Sequence, residues 1–141
     1  MEMGKWMALL GVTVALGCAL APGVSFTEDR DTVLLARTIY AMARDESYDA
    51  KLAVGSVAMN RVGNPWFGDT LGEVLTQQHQ FAAGSRYDQD SLAAAHEVLA
   101  GRRNLSADAL YYHAVDAAEP WSQKPVKTVG RYSFYADDGS L

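Results

Sequence analysis

The chain has 141 residues, 49% of them apolar, with 12 basic and 17 acidic side chains for a net charge of −5; it can build one core without staples and has no surplus of cations. No basic run exceeds the Arg102-Arg103 pair, which argues against a phosphate-tracking surface and a nucleic-acid partner. The one cysteine, Cys18, lies in the N-terminal apolar segment, so the remainder has no disulfide and no thiolate to serve as ligand or nucleophile.

At the N-terminus, Lys5 precedes an uncharged run from Trp6 to Phe26, rich in Ala, Gly, Leu and Val and interrupted by Pro22-Gly23. Residues 1–26 read as a signal peptide or a weak membrane anchor. Gly23-Val24-Ser25 suits a small-residue cleavage site, and Ala15-Leu16-Gly17-Cys18 is a lipoprotein-type box with alanine where leucine is usual. The expected location is outside the cytoplasm, in the periplasm or cell envelope, with inner-membrane anchoring if the segment is retained.

A folded domain is expected over 27–136. Thr27 is placed as an N-cap, with Glu28, Asp29 and Asp31 where a helix dipole favours negative charge, and a helix runs to about Ala43. Leu35, Ile39 and Met42 share one face. After the acidic break Asp45-Glu46-Ser47, Ser47 caps a second helix, roughly Asp49 to Val62. Its buried face is Ala50, Ala53, Val54, Val57, Ala58 and Val62, small enough for close helix packing. Gly63-Asn64-Pro65 stops it.

Thr70-Leu71-Gly72-Glu73 is a capping box for a short helix to about Gln77, followed by a polar surface loop through Phe81. Asp90 is placed as the cap of a helix from Ser91 to Ala100, closed by Gly101. Ala109 to Val115 and Val126 to Tyr135 read as two strands pairing antiparallel, with Pro120-Trp121 in the loop between them. The tail, 137–141, is expected to fray. The fold class is α+β, mostly helical with a small C-terminal antiparallel β-hairpin.

The three histidines, His79, His96 and His113, are separated by distances that match no helical or finger-type ligand pattern. No metal site and no cofactor is expected. There is no GxSxG and no glycine-rich phosphate loop. Carboxylates remain as candidates for chemistry. Glu46 stands out because it sits at a helix junction between Tyr40 and Tyr48, rings that could line a sugar groove, although a junction glutamate can equally be a capping group. Tyr111, Tyr112, Trp121 and Tyr132 add late aromatics suited to stacking on pyranose faces, some of which belong in the core.

Several short motifs fall in register along Leu34 to Tyr135. They are Ala36 and Tyr40 at a helix entry, Arg44 and Glu46 in an Arg-x-Glu turn, the Ala-Val-x-x-Val-x-x-Asn-Arg-Val run from Ala53 to Val62, Gln80-Phe81, Leu110 to Tyr112, Trp121, and Val129 to Phe134. In these the chain resembles the spore cortex-lytic type of cell wall hydrolase, a family similar to lytic transglycosylases. The resemblance implies a lysozyme-like fold, peptidoglycan as partner, and cleavage of the β-1,4 glycan backbone by hydrolysis or transglycosylation. A single glutamic acid protonates the glycosidic oxygen.

In that family the glutamate lies two residues before the arginine of the turn, which here is Met42. Asp45 replaces a usual glycine. Glu46, at a second acidic position of the motif, becomes the candidate acid, provided the turn swings it into a cleft beside tyrosines. The resemblance places Tyr40, Arg44, Tyr48, Gln80, Phe81, Tyr112, Trp121 and Tyr132 along the substrate. The alternative is a peptidoglycan-binding protein that kept the groove and lost the acid, and a phage or prophage lysis setting suits either. A monomer is expected.

Overall fold

The computed structural model describes residues 29–117 and 123–137. The expectations for segment 1–26, the Thr27 cap, the Pro120-Trp121 loop and the tail beyond Asp137 lie outside the described residues. Among the described residues four helices come first: α1 (Arg30–Ala43), α2 (Tyr48–Arg61), α3 (Leu71–Thr76) and α4 (Gln89–Leu99). Three strands follow, β1 (Ala109–Ala114), β2 (Lys127–Val129) and β3 (Tyr132–Ala136), making the chain mostly helical α+β as expected.

Local chemistry sets the helix starts. Ser47 caps α2 by accepting from Ala50 N at 3.2 Å. Thr70 and Glu73 form the reciprocal capping box of α3. Aspartates cap the other two helices, in α4 in place of the expected Asp90. In α1 the described cap is Asp29, which accepts from Thr32 N at 3.0 Å and from Thr32 Oγ1 at 2.8 Å; these bonds hold its carboxyl below the usual range. In α4 the cap is Asp88, accepting from Ser91 N at 2.9 Å, and Asp90 falls in the first turn. A carboxylate caps where it reaches the N–H three residues on, and here the earlier acid does so.

The core forms where α1 meets α2 and α4, with Leu35, Ile39, Val54, Val57, Val98 and Phe134 fully buried. Gly55 of α2 stands at this crossing. A Cβ there would lie 3.0 Å from Val98 Cγ2 and 3.3 Å from Ile39 Cδ1, so the missing side chain permits the close approach. The expected inner face of α2 is buried at Ala50, Ala53, Val54, Val57 and Ala58, while Val62 is half-buried. Two cations share that interior. Lys51 is 4% exposed and donates from Nζ to Glu46 O at 2.9 Å, fixing the α1–α2 elbow; Arg61 is 2% exposed.

The sheet order is β1-β3-β2, with β3 central and antiparallel to both neighbours. The stretch expected as one strand, Val126 to Tyr135, is therefore two. Val129 pairs with Tyr132 across the two-residue turn Gly130-Arg131, and Gly130 takes φ +59°, the left-handed conformation that the first position of a tight hairpin turn demands. The interrupting glycine decides against a continuous strand. Lys127 Nζ meets Asp49 Oδ2 at 3.0 Å, tying β2 to the start of α2.

Candidate active-site groove

The end of α1, the turn Gln77–Phe81, β1 and the β2–β3 hairpin converge on a groove of about 500 Å³. Met42, His79, Gln80, Phe81, Tyr112, Arg131 and Tyr132 are among its lining residues. His79 adopts φ +65°, a left-handed conformation rare outside glycine, and so turns the chain sharply before Gln80 and Phe81. Tyr112 is the hub of the aromatic wall. Its ring lies 5.5 Å from Phe81, 5.8 Å edge-on to Tyr132 and 6.3 Å from Phe134.

Both groove tyrosines spend their hydroxyls on backbone. Tyr112 donates to Gln80 O. Tyr132 donates to Met42 O at 2.9 Å, which satisfies one of the orphan carbonyls in the last turn of α1. Burial pushes the Tyr112 phenol up to about 12, the Arg61 cation opposing; burial also raises Tyr132, with Arg131 lowering it and Glu46 raising it further. At neutral pH both rings are uncharged, presenting faces and edges to the groove.

Met42, expected from the resemblance to stand where the family has its acid, is 7% exposed and lines this groove. A thioether has no proton to give. Glu46 lies one turn further on, is not among the residues lining the groove, and contacts the hairpin. Its Oε1 accepts from Arg131 N at 3.1 Å and fills the space where a side chain on Gly130 would have to sit. Among the described residues lining the groove there is no carboxylate.

The structure thus brings Gln80, Phe81, Tyr112 and Tyr132 together around Met42, with Glu46 bound to the turn of the hairpin that supplies Arg131 and Tyr132. It places Tyr40, Arg44 and Tyr48 elsewhere. The Tyr40 ring lies 5.8 Å from both the Arg44 and Arg86 guanidiniums, Arg44 is exposed beside Asp45, and Tyr48 is 39% exposed, its phenol raised by burial and then by Glu97 and Asp90 of α4. Trp121 lies outside the described residues. Among the described residues no cluster of His, Cys, Asp or Glu could hold a metal ion.

Arg61 was not among the residues expected along the substrate, yet it lines a second depression of about 470 Å³ with Phe67, His79, Gln80, Tyr111 and Tyr112. The two hollows share His79, Gln80 and Tyr112 in their linings, so they adjoin along that wall. Arg61 Nε donates to Leu110 O at 2.7 Å and Nη1 to Gln80 Oε1 at 2.9 Å. Its position could have been read from spacing: it follows Val54, Val57 and Ala58 on the apolar stripe of α2.

A family model described as Cell Wall Hydrolase matches residues 45–135, starting downstream of Met42. Among curated proteins, the chain is similar to the spore cortex-lytic enzyme of Halalkalibacterium halodurans, 32% identical over 115 residues, covering 75% of this chain and 34% of that protein. It is likewise similar to the spore cortex-lytic enzyme of Bacillus subtilis, 31% identical over 114 residues, covering 75% and 37%. The chain therefore spans about a third of the length of these relatives.

Among solved structures, the catalytic domain of the Bacillus cereus SleB protein superposes with a TM-score of 0.68 at 23% identity, over 84% of this chain and 99% of that one. The catalytic domain of the germination-specific lytic transglycosylase SleB from Bacillus anthracis gives 0.68 at 24% identity, over 82% and 99%. The fold is shared along nearly the full length of both domains.

Proposed function

Since the chain belongs to the cell wall hydrolase family, we propose that it acts outside the cytoplasm on peptidoglycan, cleaving the β-1,4 glycan strand laid along the Met42 groove. The observation that carries this reading is the groove itself: Gln80, Phe81, Tyr112 and Tyr132 form one wall of polar and aromatic faces suited to sugar rings. The relatives' names, spore cortex-lytic enzyme and lytic transglycosylase, support a glycan-cleaving reaction.

Glu46 is the proposed proton donor. Its carboxyl contacts the hairpin that forms the groove wall, and its tie to Arg131 N is an exposed hydrogen bond that bound glycan can displace. In the reaction the acid protonates the bridging oxygen, the C1–O bond breaks with oxocarbenium character, and water or the sugar's own 6-hydroxyl adds at C1, returning the proton to the carboxylate.

A second reading, binding without cleavage, is favoured by Met42 and by the absence of a carboxylate among the described groove-lining residues. Incubating the protein with purified sacculi separates the two. Release of soluble muropeptides that is abolished by Glu46→Gln supports cleavage by Glu46. Co-sedimentation without release supports the binding reading, and neither binding nor release defeats both.

A further inference from the structure

Arg61 is 2% exposed, and what surrounds its guanidinium is neutral. Nε and Nη1 are held by the Leu110 carbonyl and the Gln80 amide, and the rings of Phe67, Phe81 and Tyr112 lie 4.2, 5.1 and 5.6 Å from Cζ. Among the described residues no carboxylate makes an ion pair with it, and Nη2 makes no hydrogen bond. A buried cation without a counter-charge is costly unless something supplies one. Burial lowers Arg61 only to about 10, so it remains charged at neutral pH. Pinning β1 through Leu110 explains one nitrogen of the three; it does not explain why the guanidinium also lines an open depression of about 470 Å³.

We infer that this depression is an anion subsite in which Arg61 binds a carboxylate carried on the side arm of the glycan strand. The inference rests on the proposed glycan-binding role of the adjoining groove. The two hollows share His79, Gln80 and Tyr112, so a strand seated against Tyr132 presents its substituents to Arg61. The planar fork of the guanidinium suits a carboxylate, and its attraction is strengthened where ring faces exclude water. Two carboxylates are chemically available, the lactyl carboxylate of muramic acid freed of its peptide and the carboxylates of an attached stem peptide.

The test measures binding of the folded protein to three ligands of equal sugar number: peptide-stripped glycan strands, peptide-bearing strands, and neutral N-acetylglucosamine oligomers. An affinity on the order of 10-fold higher for at least one anionic strand is expected, and the strand preferred identifies the source of the carboxylate. Arg61→Gln should remove that preference while leaving the neutral oligomer bound; Arg61→Lys, which keeps the charge, should retain part of it. Equal wild-type affinity for all three overturns the subsite and leaves the groove reading intact. A preference that persists in folded Arg61→Gln also overturns it. Binding to none overturns both readings. The wild-type comparison decides even if Arg61→Gln does not fold.

Discussion

Glu46 and Gly130 are complementary in shape: the carboxylate of one, from the helix elbow, occupies the space that the absent side chain of the other leaves on the hairpin turn. The neighbouring Arg131 N–H closes the contact at 3.1 Å. Gly130→Ala should therefore destabilise twice over, through a left-handed φ of +59° and through displacement of Glu46. A loss of about 1–3 kcal/mol in urea unfolding is expected. In an Glu46→Ala background the loss should shrink to the backbone part, and strictly additive losses would refute the contact.

Met42→Glu places a carboxyl in the groove, at the position where the resemblance to the family expects the acid. In a Glu46→Gln background, where the proposed donor is gone, muropeptide release from sacculi should rise by about 10²- to 10⁴-fold over Glu46→Gln alone. Stability should fall by on the order of 1–3 kcal/mol, because the site is 7% exposed and shaped for an apolar side chain. Met42→Gln has nearly the same size and no proton to give, and should show no gain. Folded Met42→Glu with no rise in release would mean the groove no longer holds a glycan in reacting register.

Tyr132→Phe removes the hydroxyl that caps Met42 O at 2.9 Å while keeping the ring. About 1 kcal/mol of stability should be lost, measured by urea unfolding. Because the bond joins α1 to β3, amide exchange should accelerate at both the end of α1 and the hairpin, and acceleration at one alone would contradict the coupling.

Tyr112 gives a prediction in the alkaline range. Folding raises its phenol from the ordinary 10.0 to about 12. Between those values the unfolded chain has lost a proton that the folded chain keeps, so stability falls as pH climbs from about 10 to about 12; below that window both states are protonated and the effect vanishes. The full size is on the order of 2–3 kcal/mol. Arg61, lowered by burial to about 10, acts with opposite sign over the same range, so the wild-type curve alone is a sum. Comparison with Tyr112→Phe isolates the phenol. The variant should be less stable by about 1 kcal/mol near neutrality, having lost the bond to Gln80 O, and the deficit should narrow or reverse above pH 11 in urea titrations.

Much of the fold was legible from spacing and end signals. Ser47 and the Thr70–Glu73 box announced helix starts, and the small residues of α2 announced its buried face. Where two acids stood close together, as with Asp88 and Asp90, composition could not choose between them; the reach of one side chain did. Gly130 was masked by the alternation on either side of it, which reads as one strand until the turn is seen.

The groove was partly legible. Gln80, Phe81, Tyr112 and Tyr132 come from three separate segments and meet only in the fold, whereas Tyr40 and Tyr48, nearest Glu46 in sequence, point to other surfaces because two helices change direction between them. The left-handed turn at His79 has only a weak sequence signal: histidine is enriched there among non-glycine residues, yet most histidines keep negative φ.

The order β1-β3-β2 has a temporal side. Among the described elements, the strand to which both others pair, Tyr132–Ala136, is the last to be synthesised, after α1 to α4. Helical packing can proceed on the growing chain, but neither outer strand has a neighbour until synthesis reaches Tyr132, and Tyr132 also completes the wall around Met42. A nascent chain stalled before that point would carry its helices and a groove lacking the wall that Arg131 and Tyr132 supply.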